Sequence, residues 1–350
     1  MATVSIASWQ AQLAGVSARW LVTGGAGFIG SNLVEALLRH GQYVRAVDNF
    51  STGHRRNLAE VREAVGSDAA RRLEFIEADI LDLNACRRMV TGIDYVLHQA
   101  ALGSVPRSLE YPVATLDANV GGFGRLVTAA KDAKVRHFVY ASSSSVYGDH
   151  PGLPKVEAVV GKVLSPYAAT KAIDELLAEV YTRSYGIACT GLRYFNIFGR
   201  RQDPNGAYAA VIPRWIASLL RGEQVVINGD GKTSRDFCYV DNAVQANVLA
   251  ALRDGGQPSH RVFNVAFGQQ TTLLELFRLL KETLVHFDSR IGPAQPIHGE
   301  PRAGDVRHSL ADISRAAEQL HYRPTHSLGD GLRASIGWYV DRFAPRTPIP

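Results

Sequence analysis

Tyr167 and Lys171 stand four residues apart in Tyr167-Ala168-Ala169-Thr170-Lys171. On a helix that spacing puts a phenol and an ammonium one turn apart on one face, and Pro166 just before them suits a helix start. A nearby positive charge favours a phenolate and makes tyrosine a usable base near neutrality. About 25 residues upstream, Ser142-Ser143-Ser144-Ser145 follows an apolar run, where a hydroxyl can share a substrate proton with Tyr167. A lone tyrosine–lysine pair is ordinarily exposed, and four serines are ordinarily a loop. Their order behind a glycine turn and an acid sets this set apart.

That turn is Thr23–Gly30, reading TGGAGFIG, with Gly24, Gly27 and Gly30 spaced three apart. Trp20-Leu21-Val22 leads in as a strand, and Asn32–Leu38 leads out with a helical pattern. A strand turning into a helix brings free N–H groups and the positive dipole end to one point, which suits a pyrophosphate. Gly24 permits the turn, Gly27 the approach of phosphate and Gly30 the packing of helix on strand. A second strand, Tyr43–Val47, ends in Asp48 at the distance expected of a ribose-binding carboxylate. An acid there accepts from the adenosine 2′-hydroxyl and repels a 2′-phosphate, which favours NAD over NADP.

The elements that must hold these residues alternate. Further strands are expected at Leu73–Ala78, Tyr95–Ala101, His137–Ala141 and Ala188–Arg193, with helices between them. Such alternation implies parallel pairing through right-handed crossovers, hence an α/β fold with a doubly wound (Rossmann) sheet. Gly24, Asp48, Asp79-Ile80, Gln99-Ala100-Ala101, the serines and Tyr194–Asn196 all fall at or just after strand ends, where such sheets bind ligands. Residues 1–197 are read as the dinucleotide-binding domain, with a short amphipathic helix in 1–19. Residues 198–340 are read as a smaller, partly interleaved α/β substrate domain. It holds helices near Ile212–Leu220, Thr272–Leu284 and Leu328–Val340 and a strand at Val225–Ile227. Within it 236–255 returns to the first domain, and 341–350 is a frayed tail.

The 350 residues, 46% hydrophobic and 20% charged with a net charge of +5, describe an ordinary globular chain. No Lys/Arg block suggests nucleic acid, and no apolar run is long enough to span a bilayer. The first residues lack the pattern of a signal peptide. Cys86, Cys189 and Cys238 are far apart and odd in number, which argues against a disulfide framework or a metal site and for the cytoplasm. His98, in an apolar strand without a second histidine at ligand spacing, is read as a packing residue.

In that order, TGGAGFIG, Asp48, Ser143 and Tyr167-x-x-x-Lys171 resemble the extended short-chain dehydrogenase/reductases over about residues 18–340. SVYGDHPGLPK, SPYAATK, LRYFNIFGRRQDP and DGKTSRDFCYVDN resemble the UDP-hexose 4-epimerase branch. ALGSVPRS and GRRQDPNGAYAAVIPRW are similar to the bacterial UDP-N-acetylglucosamine 4-epimerases of polysaccharide biosynthesis. The resemblance implies that Tyr167 is the base for the sugar 4-hydroxyl, Ser143 the catalytic serine, and Lys171 the residue holding the nicotinamide ribose. Phe28, Ile29, Asn49, Ser51, Thr52, Gly53, Asp79, Ile80, Gln99, Ala100, Ala101, Asn119 and Tyr194 complete the expected cofactor set. Gly103, Ser104, Ser144, Asn196, Gln202, Ala210, Val211, Asn228, Arg235, Arg302 and Ser309 are expected around the UDP-sugar. The two arginines would take the pyrophosphate by charge-assisted hydrogen bonds. Ser309 aligns with the gate on the sugar 2-substituent, where a small residue admits an N-acetyl group.

The implied reaction is interconversion of UDP-GlcNAc and UDP-GalNAc through a 4-keto sugar, with NAD retained. The alternative is the UDP-glucose/UDP-galactose pair. A homodimer through paired helices is also implied. A 4,6-dehydratase carries an acidic pair where Ser144 and Ser145 stand, and a decarboxylase is disfavoured likewise. A net oxidoreductase would release NADH, and a cofactor-binding sensor would not need the intact Ser143, Tyr167 and Lys171.

Overall fold

The computed structural model describes residues 8–205, 209–253, 258–300 and 306–344. Its centre is a seven-stranded parallel sheet. Six strands are β1 (Arg19–Thr23), β2 (Tyr43–Asp48), β3 (Leu73–Glu77), β4 (Tyr95–His98), β5 (His137–Ser143) and β6 (Cys189–Tyr194). The seventh, His260–Val265, lies beyond β6, so the order is His260–Val265, β6, β5, β4, β1, β2, β3. The sheet is Rossmann-like, and a smaller α/β unit follows it in the chain. The chain reverses direction across the sheet between β1 and β4, and Tyr167, Gly24 and Asp48 gather at the carboxyl ends there.

Strand β1 is central and buried on both faces, which is why Trp20, Leu21 and Val22 read as an unbroken apolar run. The helix Phe28–Arg39 packs on it through Leu33, Val34, Leu37 and Leu38. The helix Pro166–Tyr185 has Ser165 accepting from Ala168 N at its start, proline in its first turn, and Gly186 in the left-handed region at its end. These signals fix the register of Tyr167 and Lys171. The helix Trp9–Ala14 is tied to the body, with Leu13 buried and Gln42 Nε2 donating to the Leu13 and Val16 carbonyls.

The helix Val240–Leu252 packs against the same core as Trp20, Leu97 and Phe263, and the chain then supplies the strand His260–Val265. That strand is absent from the six expected. Its apolar signal is confined to Val262-Phe263-Asn264-Val265, and its partner β6 is distant in sequence. β4 stops at His98 rather than Ala101, because the chain must turn there over the cleft. The C-terminal helix runs to Phe343 and is not frayed after Asp341: Trp338 and Phe343 stack edge-on, and Arg342 pairs with Glu60. The rest of the expected tail lies outside the described residues. The smaller unit has its own core, in which Trp215, Ile216, Phe277, Leu332 and Tyr339 meet.

Candidate active site

One cleft of about 690 Å³ runs along the carboxyl ends of β1, β2, β4 and β5. Its dinucleotide end is shaped by glycine. Gly24 has φ +65°, and a Cβ on Gly30 would stand 2.0 Å from the Gly24 carbonyl oxygen. No side chain caps the helix Phe28–Arg39, so the first-turn N–H groups around Phe28 and Ile29 face the cleft free for an anion. Asp48 also lines the cleft. Its Oδ2 accepts from Ala26 N at 3.0 Å and its Oδ1 from Phe50 N at 2.8 Å. Burial raises its pKa, against those two donors. Gly53 stands beside the carboxylate rather than in the cleft; a Cβ there would meet Oδ2 at 2.7 Å. Asn49, Ser51 and Thr52 line the cleft near Asp48, and Asn49 Nδ2 donates to Asp79 Oδ2 at 2.9 Å.

Farther along, Ile80, Gln99, Ala100, Ala101 and Gly103 line the wall. Gln99 is locked in a ring of side chains. Tyr194 donates to Gln99 Oε1 at 3.0 Å, Gln99 Nε2 donates to Asn247 Oδ1 at 3.1 Å, and Asn247 Nδ2 donates to Tyr194 at 2.7 Å. Asn119 is buried behind the wall. It accepts from Leu102 N at 2.8 Å and donates to Thr170 Oγ1 at 3.0 Å, joining the loop after β4 to the Tyr167 helix. It sits in a π-helical turn, Asp117–Gly121, a deviation common at functional sites.

Ser143, Tyr167, Lys171, Tyr194, Asn196 and Gln202 share the inner end of the cleft. Lys171 is buried and pairs with Asp174 at 3.1 Å. Burial pushes the Asp174 carboxyl up to about 6, and Lys171 pulls the other way. His98, against β1, is held by Thr23 at 2.7 Å; burial first, and Lys171 second, lower its pKa to about 3. It is therefore a neutral packing residue. Ser143 Oγ lies 2.6 Å from Ser145 Oγ and accepts from Ser145 N.

The sequence did not single out the brace behind these groups. Arg193 on β6 makes a bidentate pair with Glu175, at 2.9 and 2.8 Å, and Ser142 donates to the same carboxylate at 2.5 Å. Glu175 lies on the Tyr167 helix, so the serine loop and that helix share one brace. Arg193 within an otherwise apolar strand was the only signal for it.

A second cavity of about 340 Å³ adjoins the first at Asn196 and holds Ser144, Arg235 and Ser309. Asn196 takes φ +36°, a left-handed conformation that asparagine tolerates. A third cavity of about 490 Å³ brings Val211 and Asn228 together with Asn196 and Arg235. Ser104 caps the helix Val105–Glu110 by accepting from Arg107 N, and lines none of the three. Ala210 stands just before the helix Val211–Arg221 and also lines none. Arg302 lies outside the described residues.

The family model for the NAD dependent epimerase/dehydratase family matches residues 20–266. The chain belongs to that family. It is 37% identical over 331 residues to a UDP-glucose 4-epimerase of Mycolicibacterium smegmatis, covering 93% of this chain and 99% of that one. Among solved structures it is similar to the UDP-N-acetylglucosamine 4-epimerase of Methanobrevibacter ruminantium in complex with UDP-N-acetylmuramic acid. That match has a TM-score of 0.84 and 36% identity, and covers 93% and 99% of the two chains. It is also similar to the UDP-glucose 4-epimerase of Thermus thermophilus in complex with NAD, with a TM-score of 0.78, 32% identity, and 92% and 98% covered. The family member described here is thus related to UDP-sugar 4-epimerases.

Proposed function

We propose that this family member interconverts the C4 epimers of UDP-hexoses, with UDP-glucose and UDP-galactose as the principal pair. The observation that carries the reading is one cleft gathering the glycine turn, Asp48, Ser143, Tyr167 and Lys171. The cofactor is NAD. The glycine cradle leaves no room for a Cβ at Gly30, and the uncapped helix start suits its pyrophosphate. Asp48 meets the adenosine ribose and repels a 2′-phosphate. Bound there, NAD supplies reversible oxidation at the sugar C4.

The chain's own groups do the rest. Tyr167 takes the 4-hydroxyl proton and later returns it, and Ser143, which lines the same cleft, shares that proton. Lys171, paired from behind with Asp174, holds the nicotinamide ribose in the cleft that Tyr167 also lines. Arg235 and Arg302 take the pyrophosphate, so the keto sugar can turn over while tethered by its nucleotide. The test is incubation of purified protein with UDP-glucose and separation of the products. UDP-galactose without accumulation of reduced nicotinamide supports the reading, and stoichiometric reduction refutes it.

A second reading is favoured by Ser309, a small residue in the second cavity beside Ser144 and Asn196. There the acetylated pair, UDP-GlcNAc and UDP-GalNAc, is accepted as well. Extra volume forced into a filled space costs ~1–3 kcal/mol, roughly ten- to more than a hundredfold in rate. Ser309→Tyr is therefore expected to cut kcat/KM on the acetylated pair far more than on the plain pair. An unchanged ratio removes Ser309 from the site.

A homodimer is part of the same proposal. Leu109, Val113 and Leu116 on the short helices Val105–Glu110 and Pro112–Leu116 are exposed, as are Leu176 and Val180 on Pro166–Tyr185. These faces suit a second copy. Leu176→Glu is expected to give a monomer by light scattering. No described helix is long and apolar enough to cross a membrane, and a cytoplasmic site of action fits three buried free cysteines.

A further inference from the structure

Two buried acids of this chain are held by the backbone. Asp48 accepts from the N–H groups of Ala26 and Phe50, and Asp236 from those of Phe267, Gly268 and Ala311. Asp174 is fully buried, at 0% exposure, and receives no such bond among the described residues. Its Oδ2 accepts from the Lys171 ammonium at 3.1 Å, and its Oδ1 has no hydrogen-bond partner there. A carboxylate buried with a single partner is costly, and this one ties no turn, cap or strand together. What it holds is Lys171, itself 3% exposed, which lines the inner end of the cleft with Tyr167 and Ser143.

The surrounding groups leave the pair to itself. Glu175, next on the same helix, is committed to Arg193 of β6 and to Ser142. Tyr140 of β5 bonds to His260 at 2.9 Å, and His98 of β4 to Thr23 at 2.7 Å. Burial keeps Tyr140 and His98 neutral. Asp117, on the π-helical turn packed against the same helix, lines the cleft without pairing with the lysine. Among the described residues, Asp174 alone brings a negative charge into contact with the Lys171 ammonium.

We propose that Asp174 is a positioning residue, whose carboxylate fixes the Lys171 ammonium at the inner end of the cleft. The proposal rests on the reading above, in which Lys171 holds the nicotinamide ribose. Proton uptake by Asp174 leaves a neutral carboxyl beside a buried ammonium. That ammonium, on its flexible stem, then turns toward water in the cleft. Cofactor retention and turnover are thereby lost together in mild acid. Burial, against the pull of Lys171, places the Asp174 carboxyl at about 6, in a range where NAD and UDP-hexoses carry no titrating group. A carboxyl that binds its proton more tightly in the folded chain stabilises the fold in acid, so this loss is not one of folding.

The experiment follows the NAD-loaded parent and Asp174→Asn from pH 5 to 8. It reads NAD release on gel filtration without substrate, the urea midpoint, and kcat and KM for UDP-glucose with NAD added to saturation. At pH 5 about a tenth of the carboxyl stays ionised, so parent kcat is expected to fall about tenfold from its value at pH 7.5. NAD release should rise over the same interval. Asp174→Asn, isosteric but uncharged, is expected to show both defects already at pH 7.5. Its KM for UDP-glucose should stay within about twofold, and its kcat should fall no further toward pH 5. An acid limb that persists in Asp174→Asn, or parent-like kcat and NAD content at pH 7.5, overturns the proposal. So does a lower urea midpoint with kcat and NAD release unchanged in the folded fraction, which makes Asp174 a structural residue. Should Asp174→Asn not fold, the parent decides, and NAD release that is constant between pH 7.5 and 5 overturns the proposal. A parent that retains NAD in this pH-dependent way but converts no UDP-hexose removes the UDP-hexose reading alone.

Discussion

Tyr167 is the residue on which the proposed chemistry turns. Tyr167→Phe keeps the ring and its packing but removes the group that accepts the proton, so steady-state turnover is expected to fall ~10²–10⁴-fold. Ser143→Ala should also slow turnover, with UDP-sugar binding by calorimetry largely retained. His98 gives a pH prediction of known sign. Its folded pKa is lowered to about 3, so the unfolded chain binds the extra proton and stability is lost as pH falls below about 6.5. Between pH 6.5 and 5 that amounts to about 2 kcal/mol. Asp174 and Asp236, both raised to about 6 by burial, act in the opposite sense and add stability as pH falls from 6 toward 4. Urea unfolding of His98→Gln at pH 7.5 and pH 5 isolates the histidine. The gap between the two pH values should change by about 2 kcal/mol in favour of the variant at pH 5.

Among the elements, the strand–turn–helix from Arg19 to Arg39 carries the tightest steric demand. A methyl on Gly30 would collide with the Gly24 carbonyl, and backbone must shift to admit it. Gly30→Ala is expected to lower unfolding free energy by ~1–3 kcal/mol and to leave purified protein depleted of NAD. Full NAD content would show that the turn can adapt. This element was legible in the sequence because its requirements are local: glycine spacing, an apolar lead-in and Asp48 all sit within 30 residues. The helix Pro166–Tyr185 was legible for the same reason, through its proline and the i,i+4 pair. The Glu175 brace to Arg193 and Ser142 was not, since nothing in a helical glutamate announces a partner on a neighbouring strand. Nor was the strand His260–Val265, whose pairing with β6 is made by tertiary contact. Asp236, buried and accepting from the N–H groups of Phe267, Gly268 and Ala311, belongs to the same class.

Across the whole molecule, the segment after β6 locks the smaller unit onto the cofactor helix. Arg201 reaches Glu35 at 2.5 Å with both side chains buried, Asn32 and Arg200 exchange hydrogen bonds, and His54 meets Asp203 at 2.7 Å. Tyr339 on the C-terminal helix donates to the Gly199 carbonyl at 2.7 Å. Removing one partner of a buried pair leaves the other charge uncompensated, typically at ~3–5 kcal/mol. Glu35→Gln leaves Arg201 only its longer contact to Glu60 at 3.4 Å, so the urea midpoint should fall, whereas an unchanged midpoint would mean that Glu60 alone compensates the guanidinium. The most direct test of C4 epimerisation is proton NMR of UDP-glucose incubated with the purified protein in deuterated buffer. UDP-galactose should appear with protium still at C4 and no net reduction of nicotinamide. No C4 epimer from any UDP-hexose, or deuterium at C4 of the product, would contradict the account.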